Sequence, residues 1–201
     1  MSLSFHEGTS IWVLISAALS PFMTWGTWKY IASIYNNLVR IRKNIDKAWA
    51  NIDVLLKQRH DEIPKLVDSV KSYMRYEKDL LFKLTKLRES WKEDATSEAK
   101  AKISNKISDA LKTLFARAEN YPKLRANENF IQLQQRVSGL EISIADRREF
   151  YNDSVNEYNI KIRSVPDFII AHFIKYKAMP LFQVSESDRQ DVKIDFSDVK
   201  V

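Results

Sequence analysis

The sequence contains no cysteine and little glycine or proline. With Cys 0 among 201 residues, disulfides, thiolate nucleophiles and thiolate metal ligands are excluded. Gly 3 and Pro 5 are too few for the many tight turns that a sheet protein needs. The glycines are also isolated from one another, which excludes a glycine-rich phosphate loop. An all-α fold is therefore expected.

Histidine is scarce as well, and none of the three histidines is placed for metal or nucleophile chemistry. A di-metal carboxylate bundle needs Glu-x-x-His motifs on facing helices, but the residues three before His60 and His172 are Lys57 and Ile169. The acids beside His60 follow it directly, so on a helix they point away from it. We expect no catalytic, cofactor-binding or metal-binding residues, and a protein that is not an enzyme.

Charge is absent from the segment between Gly8 and Trp28. A stretch of about 20 such residues crosses a hydrocarbon core of about 30 Å. Pro21 interrupts it, and nearby hydroxyls such as Ser20 are expected to satisfy the carbonyl that proline frees. We predict a transmembrane anchor over residues 11–31. Its anchoring side chains are apolar or aromatic: Ile11, Trp12, Leu14, Leu19, Phe22, Trp25 and Trp28.

Two other interpretations of this segment stay open, a cleaved signal peptide and a buried core helix. A signal peptide begins with a positively charged region, whereas residues 1–10 contain no Lys or Arg. A helix that packs on a protein core typically has one apolar stripe, whereas this segment is apolar on all sides. Basic residues follow the segment and none precedes it, so the positive-inside rule predicts a single-pass protein with its N-terminus outside and its helical domain in the cytoplasm. These basic residues are Lys29, Arg40, Arg42, Lys43 and Lys47.

Helical heptad spacing dominates the chain after the anchor. Apolar residues step by four and three from Ile34 to Leu55, which predicts an amphipathic helix over about 32–59. The polar run from Arg59 to Pro64 interrupts this spacing. It predicts either a turn near residues 59–61 or one long helix kinked by Pro64.

Three further helices and a short one are predicted by the same spacing. The second carries apolar residues from Leu66 to Trp91, interrupted by Glu77. The third begins at a cap at Thr96 or Ser97 and ends near Asn120, and the fourth runs from near Asn127 to residue 163 with Leu140 in its core. A short apolar helix follows over residues 168–176.

The predicted fold is an all-α chain with an N-terminal transmembrane helix followed by an elongated antiparallel four-helix bundle. The expected organisation is an external N-terminus at residues 1–10, the anchor at 11–31, a helical bundle at 32–176 and a tail at 177–201. Two polar residues, Glu77 and Arg147, occupy positions where the helical spacing calls for apolar ones, and we expect them to pair within the bundle. A partner surface is expected on the short helix, at Phe168, Ile169, Ile170 and Phe173.

Several blocks of sequence resemble the LemA family of bacterial single-pass membrane proteins. They are the segments YNNLV (residues 35–39), KAWANIDVLL (47–56), QRHDEIPKLV (58–67), ANENF (126–130) and REFYNDSVNEYN (148–159). The resemblance covers about residues 30–170. It implies a membrane anchor with a cytoplasmic helical bundle, and it supplies no biochemical activity.

The function expected from these observations is that of a membrane-anchored, non-enzymatic interaction or scaffold protein. The alternative is a lipid-binding or membrane-remodelling helical rod that uses the basic residues after the anchor. The expected partners are membrane lipid, through the anchor, and an unidentified protein. A homo-oligomer is also compatible with the sequence. Nucleic acid is not expected, because no basic stripe is interleaved with aromatic residues.

Overall fold

The computed structural model describes the backbone of residues 4–182 and the side chains of residues 16–182. The predicted tail therefore lies outside the described residues from residue 183 onward. The described chain is helical and contains no β-strand, which confirms the all-α expectation. Its helices are α1 (Ser4–Val70), α2 (Lys78–Glu89), α3 (Ser97–Ala118), α4 (Pro122–Arg125), α5 (Glu128–Lys161) and α6 (Asp167–Phe173).

The chain divides into two compact units. In its described part, unit 1 consists of residues 4–44 and 156–179, and unit 2 consists of residues 45–155 and 180–182. The two longest helices contribute to both units. Unit 1 contains the first part of α1, the end of α5 and all of α6, and unit 2 contains the rest of α1 and α5 with α2, α3 and α4.

Helix α1 does not end where the sequence suggested a turn. The predicted turn near residues 59–61 is wrong, and the alternative of one long helix is confirmed, since α1 continues through Pro64 to Val70. The physical reason is that buried residues keep their helical spacing across the polar run. In unit 2 the buried residues of α1 are Ile45, Ala48, Ile52, Leu56, Arg59, Ile63, Leu66 and Val70.

The other helix boundaries follow local capping chemistry. Thr96 precedes α3, and its Oγ1 accepts a hydrogen bond from the Ala99 N–H at 3.3 Å. Asn127 precedes α5, and its Oδ1 accepts from the Phe130 N–H at 3.0 Å. Pro122 begins the single-turn helix α4, where its missing N–H costs nothing. The predicted starts of the third and fourth helices are confirmed by these caps.

The core of unit 2 is built from α1, α2, α3, α4 and α5 together. Within α5, Val137 and Ile144 are buried, whereas Leu140 is only half-buried. The side of α5 that packs most deeply is therefore centred on Val137 and Ile144, not on the predicted Leu140. The larger cluster is apolar and includes Ile63, Leu66, Val70, Met74, Leu84, Ile107, Leu111, Leu114, Leu124, Phe130 and Val137.

Within the part of the chain that the structure describes, no helix has both the length and the apolar character required to cross a membrane.

Two isoleucines on α5 allow a matched test of this packing. Ile144 is 1% exposed and Ile142 is 64% exposed. We expect Ile144→Ala to lower the free energy of unfolding by about 2–5 kcal/mol, because it leaves a cavity in the core. Ile142→Ala is the control and is expected to change it by less than about 0.5 kcal/mol. Urea unfolding followed by circular dichroism measures both, and equal effects would contradict the assigned orientation of α5.

Candidate functional site

The first part of α1 presents an unusually exposed apolar segment in unit 1. Every residue from 16 to 31 is exposed, including Phe22 at 76%. The predicted anchor residues Leu19, Phe22, Trp25 and Trp28 all belong to this segment. The side chains of the other three, Ile11, Trp12 and Leu14, lie outside the described residues. The described chain thus provides no protein cover for this run of apolar side chains.

Hydroxyl groups within this segment are satisfied by the helix itself. Pro21 has no N–H to donate to the Ala17 carbonyl, and the Ser20 hydroxyl donates to that carbonyl at 3.1 Å instead. The Thr24 hydroxyl donates to the Pro21 carbonyl at 3.0 Å. The Thr27 hydroxyl lies 3.0 Å from the Met23 carbonyl and 2.9 Å from the Thr24 carbonyl. The predicted role of Ser20 beside the proline is confirmed, and these hydroxyls have no need of water.

A groove lies beside the end of this exposed segment, within unit 1. Its volume is about 900 Å³, and it is lined by side chains of α1, α5 and α6. Three of the lining residues are cations, Lys29, Arg40 and Lys161, and one is an acid, Asp167. The Lys29 ammonium lies 5.4 Å from the centre of the Trp25 ring. The groove therefore combines positive charge with an aromatic wall.

Helix α6 carries the surface that the sequence predicted for a partner. Phe168, Ile169 and Phe173 are exposed, the last at 80%, and Ile170 is half-buried. Ala171 is buried and marks the inward side of the helix. Three of the four predicted partner residues are thus accessible on one short helix.

The segment after α6 is fastened to α5 by a tyrosine and the asparagine that follows it. The Tyr158 hydroxyl donates to the Lys177 carbonyl at 3.2 Å. The Asn159 amide donates to the Met179 carbonyl and accepts from the Met179 N–H, both at 2.9 Å. The Arg42 guanidinium donates to the Tyr158 oxygen at 3.5 Å. Burial raises the pKa of Tyr158, with Arg42 opposing this, so the phenol keeps the proton that it donates.

Unit 2 contains a second pair of the same kind, seven residues earlier on α5. The Tyr151 hydroxyl donates to the Pro180 carbonyl at 3.4 Å. The Asn152 amide accepts from the Phe182 N–H at 2.7 Å and donates to its carbonyl at 3.0 Å. The Phe182 ring is buried and lies 5.9 Å from the Trp49 ring. Neither pair was predicted from the sequence, although the Tyr-Asn dipeptide repeats at heptad spacing.

A buried arginine joins three helices of unit 2. Arg59 of α1 is 1% exposed, and its guanidinium donates to the Glu141 carboxylate of α5 at 2.6 Å and to the Ser108 hydroxyl of α3 at 2.9 Å. It also donates to the Ser104 hydroxyl at 2.8 Å. The Ser108 hydroxyl donates to the second oxygen of Glu141 at 2.6 Å. The sequence signal for this residue was its position in the heptad spacing, which the prediction of a turn obscured.

Further ion pairs connect the same helices. Lys100 of α3 is buried and lies 2.7 and 3.0 Å from the two carboxylate oxygens of Asp53 on α1. Burial alone would raise the pKa of Glu62, but hydrogen bonds from Lys65 and Arg136 outweigh it and hold that pKa below its ordinary value. These contacts neutralise charges at the packed faces of α1, α3 and α5.

The predicted pairing of Glu77 with Arg147 needs correction. Glu77 lies at the start of α2, outside any helix interior, and pairs with Arg117 near the end of α3. Arg147 is exposed on α5. The buried arginine of the helical interior is Arg59. Within residues 16–182, no group of three or more His, Cys, Asp or Glu side chains is arranged to hold a metal ion.

Arg59 and Arg147 provide a matched pair of substitutions. Arg59→Met leaves the Glu141 carboxylate between the packed helices without the cation that pairs with it. We therefore expect the free energy of unfolding to fall by about 3–5 kcal/mol. Arg147→Met removes an exposed charge and is expected to cost less than about 0.5 kcal/mol. Denaturant unfolding at neutral pH measures both. A wild-type-like stability of Arg59→Met would show that the cluster does not hold the three helices together.

Comparison with known proteins identifies relatives of this chain. The sequence model of the LemA family matches residues 48–196, a range that includes the buried arginine, its partners and both Tyr-Asn pairs. "Protein LemA" of Metamycoplasma hominis is 27% identical over 158 residues, covering 78% of this chain and 72% of the relative. The resemblance expected from the sequence is confirmed, and this protein belongs to the LemA family.

Proposed function

We propose that this protein is a membrane-anchored, non-enzymatic scaffold whose first α1 segment is inserted in lipid. The observation that carries the proposal is the exposed run from residue 16 to residue 31. Large apolar side chains such as Phe22 and Trp25 are unfavourable in water at this density. The neighbouring hydroxyls bond within the helix, which suits a solvent that offers no hydrogen bonds.

The direction of insertion follows from charge. Residues 1–10 contain no Lys or Arg, and the basic residues begin at Lys29. The positive-inside rule then favours an external N-terminus and a helical domain in the cytoplasm, at the cytoplasmic membrane. The Lys29 ammonium over the Trp25 ring is the kind of aromatic and cationic contact found where a helix leaves the bilayer.

The scaffold role is supported by how unit 2 uses its charged residues. Arg59 with Glu141, and Lys100 with Asp53, link different helices, so their charges serve packing. We infer that α1, α2, α3 and α5 pack as a four-helix bundle around the shared apolar core. Such a bundle offers stable outer surfaces for a protein partner or for a second copy.

The second candidate function is lipid binding by the helical domain itself. The groove of unit 1 favours it, because Arg40 and Lys161 face the same cavity as Trp25. Binding to anionic vesicles by a chain that begins at Trp25, and so keeps the residues that line the groove, would discriminate between the two functions. Strong, salt-sensitive binding supports lipid recognition by the helical domain. If the domain does not bind vesicles, the anchor alone attaches the protein to lipid.

The anchor is tested by membrane extraction of the full chain. We expect the protein to stay with membranes after carbonate washing, and the double substitution Leu19→Arg and Phe22→Arg to release it, since each charge costs about 2.5–3.5 kcal/mol within a bilayer. The control is Phe82→Arg with Ile142→Arg, two exposed apolar residues of unit 2. Release of the wild-type protein would refute the anchor, as would an N-terminal sequence starting after Ala18 or Ser20.

A further inference from the structure

We propose that helix α6 and the groove beside it form a second membrane contact, in which α6 lies at the lipid–water interface and the groove takes the phosphate of an anionic phospholipid. This inference rests on the proposed insertion of the first α1 segment. It assigns the exposed surface of α6 to lipid, and it assigns a ligand class to the groove.

The position of α6 in unit 1 is the first step. Its first residue, Asp167, lines the same groove as Trp25 and Trp28 of α1. These tryptophans mark the end of the exposed apolar segment of α1, where Lys29 follows. A bilayer that holds residues 11–31 therefore has its surface at the level of this groove, and α6 begins beside it.

The surface of α6 has the composition of an interfacial segment. Phe168, Ile169 and Phe173 are exposed together with Val165 just before the helix. Exposed cations lie on both sides in the sequence, at Arg163, Lys175 and Lys177. Aromatic and aliphatic residues flanked by Lys and Arg are typical of helices that lie in the headgroup region.

The segment is also held in place. Tyr158 and Asn159 of α5 bind the backbone of Lys177 and Met179, and the Tyr176 ring lies 5.0 Å below the Arg42 guanidinium. These contacts bind the residues directly after α6 to α5 and α1, and the buried Ala171 lies on the inward side of α6 itself. Lipid contact would need no rearrangement of these bonds.

The groove supplies the charge that selects an anionic lipid. Lys29, Arg40 and Lys161 face it against the single carboxylate of Asp167. Arg40 donates to the Asn37 side chain at 2.9 Å, which holds its guanidinium at the rim. A phosphate among these cations places acyl chains against the tryptophans, so the charge and the apolar wall suit the two parts of one phospholipid. A protein partner would explain the exposed residues of α6 but not this pairing with the tryptophan-lined groove.

The absence of cysteine makes single-site labelling a direct test. Full-length protein with Phe173→Cys, Phe22→Cys or Phe82→Cys carries a bimane label and is reconstituted in vesicles of phosphatidylglycerol and phosphatidylcholine. Phe22 reports the anchor, Phe173 reports α6, and Phe82 is an exposed control residue of unit 2. Quenching by iodide measures contact with water, and quenching by nitroxide-labelled lipid measures contact with the bilayer.

We expect labels at positions 22 and 173 to be quenched by lipid nitroxide and protected from iodide, and the label at position 82 to behave in the opposite way. If position 173 behaves like position 82 while position 22 contacts lipid, this inference is overturned and the proposed anchor stands. If position 22 also contacts only water, the proposed function fails as well. Protection of position 173 from iodide without lipid quenching would indicate a protein contact and would overturn the inference.

The phosphate site is tested by lipid composition and by charge. We expect lipid quenching at position 173 to be stronger with phosphatidylglycerol than in pure phosphatidylcholine vesicles, and the docked fraction to fall about fivefold for each cation removed by Arg40→Gln and Lys161→Gln. Lys83→Gln with Lys86→Gln, on the exposed side of α2, is the charge-matched control. Equal quenching in both lipids, or an unchanged response of the groove variant, would overturn the phosphate site.

Added inorganic phosphate separates a lipid headgroup from a free anion. We compare samples that contain phosphate with samples that contain chloride at the same ionic strength. Phosphate is not expected to reduce the lipid quenching at position 173. Competition by phosphate would show that the groove recognises the free ion and would overturn the assignment to lipid. Melting temperatures of all variants, measured in parallel, confirm that each chain is folded.

Discussion

A guanidinium buried among three helices restricts how those helices can be arranged. The Arg59 guanidinium carries only hydrogen-bond donors, so the folded state has to provide acceptors for it, and they come from α3 and α5 at once. Glu141 in turn accepts from Ser108, so the contact between α3 and α5 is set by the same charge. An apolar residue at this position would impose no directional contacts, whereas the two terminal nitrogens of the Arg59 guanidinium meet acceptors of α3 and α5 in this arrangement.

The same residue explains why α1 is longer than the sequence suggested. A polar run containing a proline reads as a helix end, because charged residues rarely occupy core positions and proline lacks an N–H. Here the residues before the proline have partners that keep them helical: Arg59 lies inside the unit, and Glu62 binds Arg136 of α5. The buried Ile63 lies directly before the proline, and the buried Leu66 and Val70 continue the packing beyond it. Tertiary contacts therefore override a local signal that would end an isolated helix.

The sequence predicted most of the helices, since capping and heptad spacing act over a few residues. Thr96 and Asn127 were readable as caps, and both accept the expected backbone hydrogen bonds. The ion-pair and hydrogen-bond partners of individual side chains could not be predicted in the same way. Glu77 bonds to Arg117 because the chain between α1 and α2 places it against the end of α3, and heptad position alone carries no such information. The two Tyr-Asn pairs bind a segment 19 to 30 residues away in the chain, a distance at which spacing rules give no guidance.

The two exposed surfaces of unit 1, on α1 and on α6, differ in the solvent that suits them. The first α1 segment satisfies its hydroxyls internally and exposes apolar side chains all round, so it suits a uniform apolar solvent. Helix α6 exposes apolar residues on one side between exposed cations, so it suits a boundary between an apolar and a polar solvent. Such a boundary lies where an inserted helix leaves a bilayer, and the charged groove between Lys29 and Asp167 is at the end of the exposed segment. The bilayer that we propose is therefore one partner that suits both surfaces, whereas a protein partner would have to match each of them separately.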